Sequence, residues 1–243
     1  MTEREAVSLE HGFVLHQRAF RNTSQLVDVL TPKYGRIGLV ARGSRRSGGN
    51  RALLQPFVPL RLSWLRRGEL GRLTAIEAAH TPFVLSGERL LAGFYINELV
   101  LRMLARGDPN AAAYSCYSRC LDELAGQSNV ARSLRLFELE FLHALGYGLN
   151  LECDASSGEP IQPDGCYVFE PESGPRAVVS ASEQRMAYSG RELISLRSQS
   201  LDDRDSLRAA RHLLERVLSV YLGERPLRSR LVFRDIVDRG LDR

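Results

Sequence analysis

The hydrophobic period of the chain changes at Pro82, and this change limits the folds that the chain can adopt. Before Pro82, short apolar runs alternate with polar residues and are separated by Asn, Pro and Gly, as in "FVPLRLSWLRR" (57–67), which is typical of half-buried β-strands. After it, apolar residues recur at helical spacing, as in "SGERLLAGFYINELVLRML" (86–104). The sequence therefore predicts a mixed α and β protein with two domains, a β domain over 1–80 and an α-helical domain over 81–243.

The β domain is short for the number of strands that it holds. Five short strands in such a segment predict a small closed barrel of the OB type, although the pattern alone leaves another small β-barrel open. The strands are predicted at 13–20, 24–32, 35–43, 57–67 and 71–80.

The helical domain contains one segment without helical period. Residues 150–182 are rich in Gly, Pro and Ser, which predicts a small β-hairpin excursion. Helices are predicted at 86–104, 110–126, 129–146 and 205–223, with a short final helix at about 229–238.

Charge is distributed unevenly along the chain. The net charge is +4, but residues 1–80 carry roughly +7 and the remainder about −3, which predicts a polyanionic partner for the N-terminal domain. Lys33 is the only lysine, so almost all of this charge is arginine. Arginine binds phosphates bidentately and stacks on bases better than lysine does.

Several function classes have no support in the sequence. No apolar stretch reaches the roughly 20 residues of a membrane span, and "MTEREAVSLEHG" at the N-terminus has no apolar signal-peptide core. The motifs G-x-x-x-x-G-K-[ST], H-E-x-x-H and G-x-S-x-G are also missing. We therefore expect a cytoplasmic protein without membrane partner, and no enzyme, catalytic residue or cofactor.

Four cysteines raise the possibility of a structural zinc site. Cys116 and Cys120 lie one turn apart on a predicted helix. We interpret them as small buried apolar residues of that helix. Cys153 and Cys166 bracket the excursion but form no C-x-x-C pair, since Ser156 stands three residues after Cys153. Structural zinc ligands usually come as closely spaced pairs, so no metal site is predicted. Four cysteines in a chain of this length favour a reducing compartment.

The loop "RGSRRSGGNR" (42–51) is the strongest candidate for a nucleic-acid contact. Flexible arginines can follow a phosphate backbone, and aromatic side chains of a barrel can stack on bases. The alternative is an ordinary solvated hairpin loop, with the aromatic residues in the core. The predicted binding set is Arg18, Arg21, Lys33, Tyr34, Arg36, Arg42, Arg45, Arg46, Arg51, Trp64, Arg66 and Arg67.

The helix at 129–146 has two separate faces. Leu134, Phe137 and Phe141 belong to the predicted core stripe. The second face predicts a site for an acidic peptide that ends in an apolar side chain, unless its leucines pack on a neighbouring helix and its arginines are solvated. This second face comprises Arg132, Arg135, Leu139 and Leu142.

Five segments, in this order, closely resemble the bacterial RecO family: "FVLHQRAFRNTSQLVDVLTPKYGRIGLVARGSRR", "LLQPFVPLRL", "GFYINELVLRML", "LFELEFLHALGYGLNLECDASSGEPI" and "SLRAARHLLERVLSVYLGERPLRSRLVFRDI". Many members carry a zinc site in the excursion, built from two C-x-x-C pairs. No cysteine follows Cys166 where the second pair is expected, so the chain resembles a variant without zinc.

The resemblance implies an N-terminal OB domain, a helical body and a recombination mediator without catalysis. RecO-like proteins bind single- and double-stranded DNA and anneal complementary strands without ATP. With RecR they help RecA to replace single-strand-binding protein (SSB), whose acidic, Phe-ending tail they also bind. The face with Arg132 is our expected site for that tail, and association with the nucleoid during repair is expected.

Three other readings remain open. One is an RNA-binding OB protein, and another is an adaptor whose basic barrel binds an acidic protein. A nuclease is the weakest, because no carboxylate cluster for a divalent metal is recognisable.

Overall fold

The structure, a computed structural model, describes residues 5–223 and 225–229. These residues form two compact units. The first comprises residues 5–127 together with 226–229, and the second comprises residues 128–225.

A closed five-stranded barrel begins the first unit, in the strand order β1-β2-β3-β5-β4. The long strand β1 pairs with β4 through its first half and with β2 through its second half. All neighbouring strands are antiparallel except β3 and β5, which are parallel. The OB-type barrel predicted from the sequence is confirmed. Its strands are β1 (Glu5–Phe20), β2 (Ser24–Thr31), β3 (Gly35–Ala41), β4 (Leu60–Arg66) and β5 (Leu70–Ala78).

The barrel is filled by alternate residues of its strands. On β2 the inward side chains are Val27 and Val29, and on β3 they include Ile37 and Leu39, all fully or almost fully buried. Since the side-chain period of a strand is two, the residues between them lie on the outer face of the barrel.

Two helices of the same unit cover part of that outer face. They are α1 (Gly87–Met103) and α2 (Ala111–Ala125). The ring of Phe13 on β1 lies 5.2 Å from the ring of Tyr117 on α2, centroid to centroid. Asn97 on α1 donates to the Leu15 carbonyl at 3.0 Å. This part of the outer face is therefore occupied by α1 and α2.

The second unit combines three helices with a small sheet. The sheet has the order β7-β6-β8, and α5 packs against both α3 and α4. The hairpin predicted within 150–182 is confirmed as β6 and β7, whereas β8 and α4 were not predicted. The elements are α3 (Val130–Ala144), β6 (Cys166–Glu170), β7 (Gly174–Ala177), β8 (Tyr188–Ser189), α4 (Gly190–Arg197) and α5 (Arg204–Leu222).

The four long helices begin and end within two residues of their predicted limits. The helix predicted at about 229–238 lies almost entirely outside the described residues. Within 5–223 and 225–229, no helix has both the length and the apolar character that a membrane span requires.

Candidate nucleic-acid interface

The β1–β2 turn and the loop that follows β3 meet at one end of the barrel. The N–H of Arg45 donates to the carbonyl of Thr23 in the turn, at 3.1 Å. Gly43 has a φ of 68°, a left-handed conformation that glycine adopts without strain. Arg46 N–H then donates to the Gly43 carbonyl at 3.0 Å. The backbone of the arginine-rich loop is thus folded against the turn that carries Arg21.

Glutamine side chains hold the far end of this loop. Gln17 on β1 donates through its Nε2 to Oε1 of Gln55 at 3.0 Å. Gln55 donates in turn to the carbonyl of Arg51 at 3.0 Å. The loop is therefore anchored to the barrel by its backbone, and its arginine side chains are not needed for anchoring.

Six predicted arginines gather at this end of the barrel, and all six are exposed. Within the described residues none of them takes part in a salt bridge. The guanidinium of Arg21 lies 5.3 Å from the centre of the Phe20 ring. Exposed guanidinium groups without a salt bridge are available for bidentate hydrogen bonds to phosphate. The six are Arg18, Arg21, Arg42, Arg45, Arg46 and Arg51.

The outer face of the barrel adds a seventh arginine that the sequence did not single out. Arg18 on β1 lies opposite Leu26, Leu26 lies opposite Val40, and Val40 lies opposite Arg72 on β5. Directly paired residues point to the same side of a sheet, so two exposed arginines flank this row. The alternation of "GRLTAIEAAH" placed Arg72 on a strand, but it could not place that strand beside β3.

The β4–β5 turn carries the last arginines of the predicted set. Arg67 is exposed, whereas Arg66 is half-buried with its Nε 2.7 Å from a carboxylate oxygen of Glu5. OB-folds bind oligonucleotides with strands 2 and 3 and with the β1–β2 and β4–β5 loops. Arg21 and Arg67 occupy those two loops, while Arg66 is already paired.

Lys33, Tyr34 and Arg36 lie around the β2–β3 turn, at the opposite end of β3 from the arginine-rich loop. The Lys33 ammonium is exposed and lies 3.8 Å from Glu10. Arg36 is half-buried. Burial lowers the pKa of its guanidinium, and the charge of Arg106 acts in the same direction, while Asp28 opposes both. The structure therefore divides the predicted residues between two ends of the barrel.

Trp64 is not available for stacking on a base, which corrects our expectation. Its side chain is fully buried in the barrel, on the same side of β4 as Leu60 and Leu62. Its indole N–H has no hydrogen-bond partner among the described residues. Tyr34 packs against it edge to face, with ring centroids 5.2 Å apart. Both rings thus take part in the packing of the barrel.

The predicted peptide-binding face of α3 also needs correction. Leu142 is fully buried, and Arg135 is 7% exposed. Arg135 donates to Glu138, which is itself fully buried, at 2.6 Å. Arg132 and Leu139 remain half-exposed. Arg135 and Leu142 are buried and therefore cannot form an exposed surface with the other two.

Arg132 has a structural role that the sequence did not indicate. Its guanidinium donates to the carbonyl of Gln199 at 2.9 Å and to that of Ser200 at 3.2 Å. Gln199 has a φ of 57°, an uncommon conformation for a residue with a side chain. Arg132 therefore ties α3 to the turn that follows α4.

Comparison with known proteins agrees with this architecture. The family profile described as "Recombination protein O N terminal" matches residues 7–82, and the one described as "Recombination protein O C terminal" matches residues 85–231. The chain belongs to the RecO family. A relative from Nitrosococcus oceani, named DNA repair protein RecO, is 45% identical over 92% of this chain and 92% of its own length.

Two further RecO relatives bear the same name. The protein of Methylococcus capsulatus is 41% identical and covers 94% of this chain and 93% of its own length. The protein of Coxiella burnetii is 38% identical and covers 95% of this chain and 98% of its own length. The similarity thus spans both the barrel and the helical part.

The residues of the RecO excursion do not fit the zinc site that many members of the family carry there. Cys153 pairs with Pro160 through an isolated bridge, and Cys166 pairs with Ser189 in the small sheet. Across 5–223 and 225–229, no group of three or more His, Cys, Asp or Glu side chains is arranged to hold a metal ion.

A carboxylate connects the strands of this excursion instead. Asp154 accepts hydrogen bonds from the N–H of Ser156 at 2.7 Å and from the N–H of Ala177 on β7 at 2.9 Å. It also accepts from the hydroxyl of Ser156 and the N–H of Ser157. These donors lower the pKa of Asp154, and the Ser156 hydroxyl contributes most. The hydrogen bonds of Asp154 thus link the loop after Cys153 to β7.

Proposed function

We propose that this RecO-family protein binds single- and double-stranded DNA and anneals complementary strands. We further propose that, together with RecR, it helps RecA to load onto DNA coated with SSB. The observation that carries the DNA-binding proposal is the set of exposed, unpaired arginines at the loop end of the barrel. The name that the relatives bear, DNA repair protein RecO, supports the choice of DNA over RNA.

Annealing requires two like-charged strands to approach each other. Guanidinium groups that neutralise phosphates on both strands lower this repulsion and release counterions. Arg42, Arg45 and Arg46 extend from an anchored loop, so one molecule can hold two backbones without a chemical step. We propose accordingly that the protein acts without catalysis and without a cofactor.

Binding of the SSB tail would add a second attachment to coated DNA. A tether raises the local concentration of the barrel near the DNA and increases avidity. We propose this interaction for the protein but assign it no site, since Arg135 and Leu142 lie in the interior. With DNA and SSB as partners, we propose a cytoplasmic location at the nucleoid.

Annealing of SSB-coated complementary strands tests the proposed function. The wild-type protein is expected to accelerate annealing over SSB-coated DNA alone, and RNA is expected to compete poorly. A variant with Arg42, Arg45 and Arg46 changed to Ala should lose most of the acceleration. Arg197→Ala removes an exposed charge from the other unit and should retain it. Equal annealing with and without the wild-type protein would contradict the proposal.

A further inference from the structure

Arg106 follows α1 and folds back onto the outer face of the barrel. Its Nη2 lies 2.5 Å from Oδ1 of Asp28 on β2, across 78 residues of sequence. The neighbouring Gly107 donates its N–H to the carbonyl of Arg36 at 2.9 Å. A residue of the helical part of the sequence is thus part of the barrel surface.

Two glycines of β3 make room for this contact. At Gly38, a Cβ would lie 3.1 Å from Nη1 of Arg106 and 2.8 Å from Leu70. At Gly35, which has a φ of 61°, a Cβ would lie 1.8 Å from the carbonyl oxygen of Asp108. The segment of Arg106 is therefore seated directly on β3, and its place is set by the backbone.

The charges at this point do not balance. The charge of Asp28, which is mostly buried, acts on Arg36, and the same carboxylate forms the ion pair with Arg106. The Nε of Arg36 is buried and has no hydrogen-bond partner among the described residues. The Arg106 side chain is 45% exposed. Among these three side chains, two guanidinium groups face one carboxylate, which leaves an excess positive charge on the solvent side.

This excess charge continues the line of arginines along β3. Arg36, Gly38 and Val40 lie on the outer side of β3. Arg106 covers Gly38, and the neighbour of Val40 on β5 is Arg72. Arg42 follows at the end of the strand. At about 3.4 Å per residue, the distance along β3 from Arg36 to Arg42 is roughly 20 Å. A DNA strand with one phosphate per about 3.4 Å of helix axis places five or six phosphates along it.

We propose that Arg106 binds DNA phosphate and, with Arg36, extends the DNA contact along the outer face of β3 towards the β2–β3 turn. In this arrangement Asp28 orients Arg106 and competes with phosphate for it. The inference rests on the proposed DNA binding. It assigns a role to a residue outside the barrel sequence and connects the two ends at which the predicted arginines lie.

Two substitutions at the ion pair separate phosphate binding from a purely structural role. Arg106→Gln and Asp28→Asn both break the pair, so a structural contact predicts the same sign of effect for both. Phosphate binding predicts opposite signs. Arg106→Gln should weaken binding of a single-stranded oligonucleotide several-fold and reduce its salt slope by about 0.7, the share of one phosphate. Asp28→Asn should tighten binding several-fold.

Two control variants measure how much a change of net charge alone alters the affinity for the oligonucleotide. Arg197→Gln and Asp202→Asn alter exposed residues of the other unit and should leave the affinity near the wild-type value. If Arg106→Gln behaves like Arg197→Gln, or if Asp28→Asn weakens binding, the inference is wrong. Should Arg106→Gln unfold, Asp28→Asn decides the question alone. A wild-type protein that binds no oligonucleotide would instead overturn the proposed function, and this inference with it.

Discussion

Tyr34 packs edge to face on Trp64, with 5.2 Å between the ring centroids, and Trp64 is completely buried. The pair closes the barrel core beneath the β2–β3 turn. Aromatic residues of OB-folds often form stacking platforms for bases. In this protein the tryptophan is part of the core, so the proposed DNA binding is assigned to arginines rather than to this ring.

The burial of Trp64 makes intrinsic fluorescence a direct check, because the chain contains one tryptophan. We expect a blue-shifted emission maximum that iodide hardly quenches and that saturating single-stranded DNA leaves unchanged. Unfolding in denaturant should shift the emission to the red. Quenching by DNA at concentrations that saturate binding would show that Trp64 reaches the bases.

The buried pair of Arg135 and Glu138 predicts a loss of stability on substitution. Arg135→Ala removes the buried guanidinium that donates to the fully buried Glu138 carboxylate. Removing one partner of a buried pair costs about 3–5 kcal/mol. Denaturant unfolding should show this decrease, whereas Arg185→Ala, at an exposed position, should change stability little. An unchanged unfolding midpoint for Arg135→Ala would place this arginine at the surface after all.

The Asp154 network predicts a specific dependence of stability on pH. Its donors lower the pKa of the folded carboxylate, so the carboxylate stabilises the fold above its unfolded pKa of about 3.9. This stabilisation is lost as the pH falls through the lowered folded pKa. Asp154→Asn should therefore reduce the melting temperature at neutral pH and show a weaker further loss on acidification than the wild type.

Asp164→Asn is the control for that experiment, since Asp164 is exposed and, within the described part of the chain, its carboxylate pairs only with Arg191. A chelator should leave the wild-type melting temperature unchanged, because the donors of the excursion do not fit zinc. If Asp154→Asn follows the wild-type curve at every pH, or if the chelator destabilises the wild type, Asp154 is not the group that holds the excursion together.

The period of the hydrophobic residues was sufficient to predict the main elements. Strands β2 to β5 and the four long helices lie where alternation and helical spacing placed them, whereas β1 begins at Glu5, eight residues before the predicted strand. The sequence could also have predicted that Trp64 points inward, because Trp64 lies an even number of residues from Leu60 and Leu62 on β4. The prediction that it stacks on DNA ignored this alternation.

Two site features depend on tertiary contacts that no local pattern contains. Arg135 is polar and lies off the predicted core stripe of α3, but the buried surface of α3 is wider than one stripe. Arg106 contacts Asp28 across 78 residues. The segment after α1 lies against β3 only in the folded chain, and no local pattern places it there.

The salt dependence of single-stranded DNA binding tests the central claim most directly. A variant with Arg42, Arg45 and Arg46 changed to Ala is compared with the wild type and with a variant that lacks Arg185, Arg197 and Arg204, three exposed arginines of the other unit. Each phosphate contact contributes about 0.7 to the slope of log K against log salt on a single strand, so the loop variant should lose about 2 from the slope. The control variant should keep the wild-type slope. A loop variant with the wild-type slope would show that these arginines do not bind DNA.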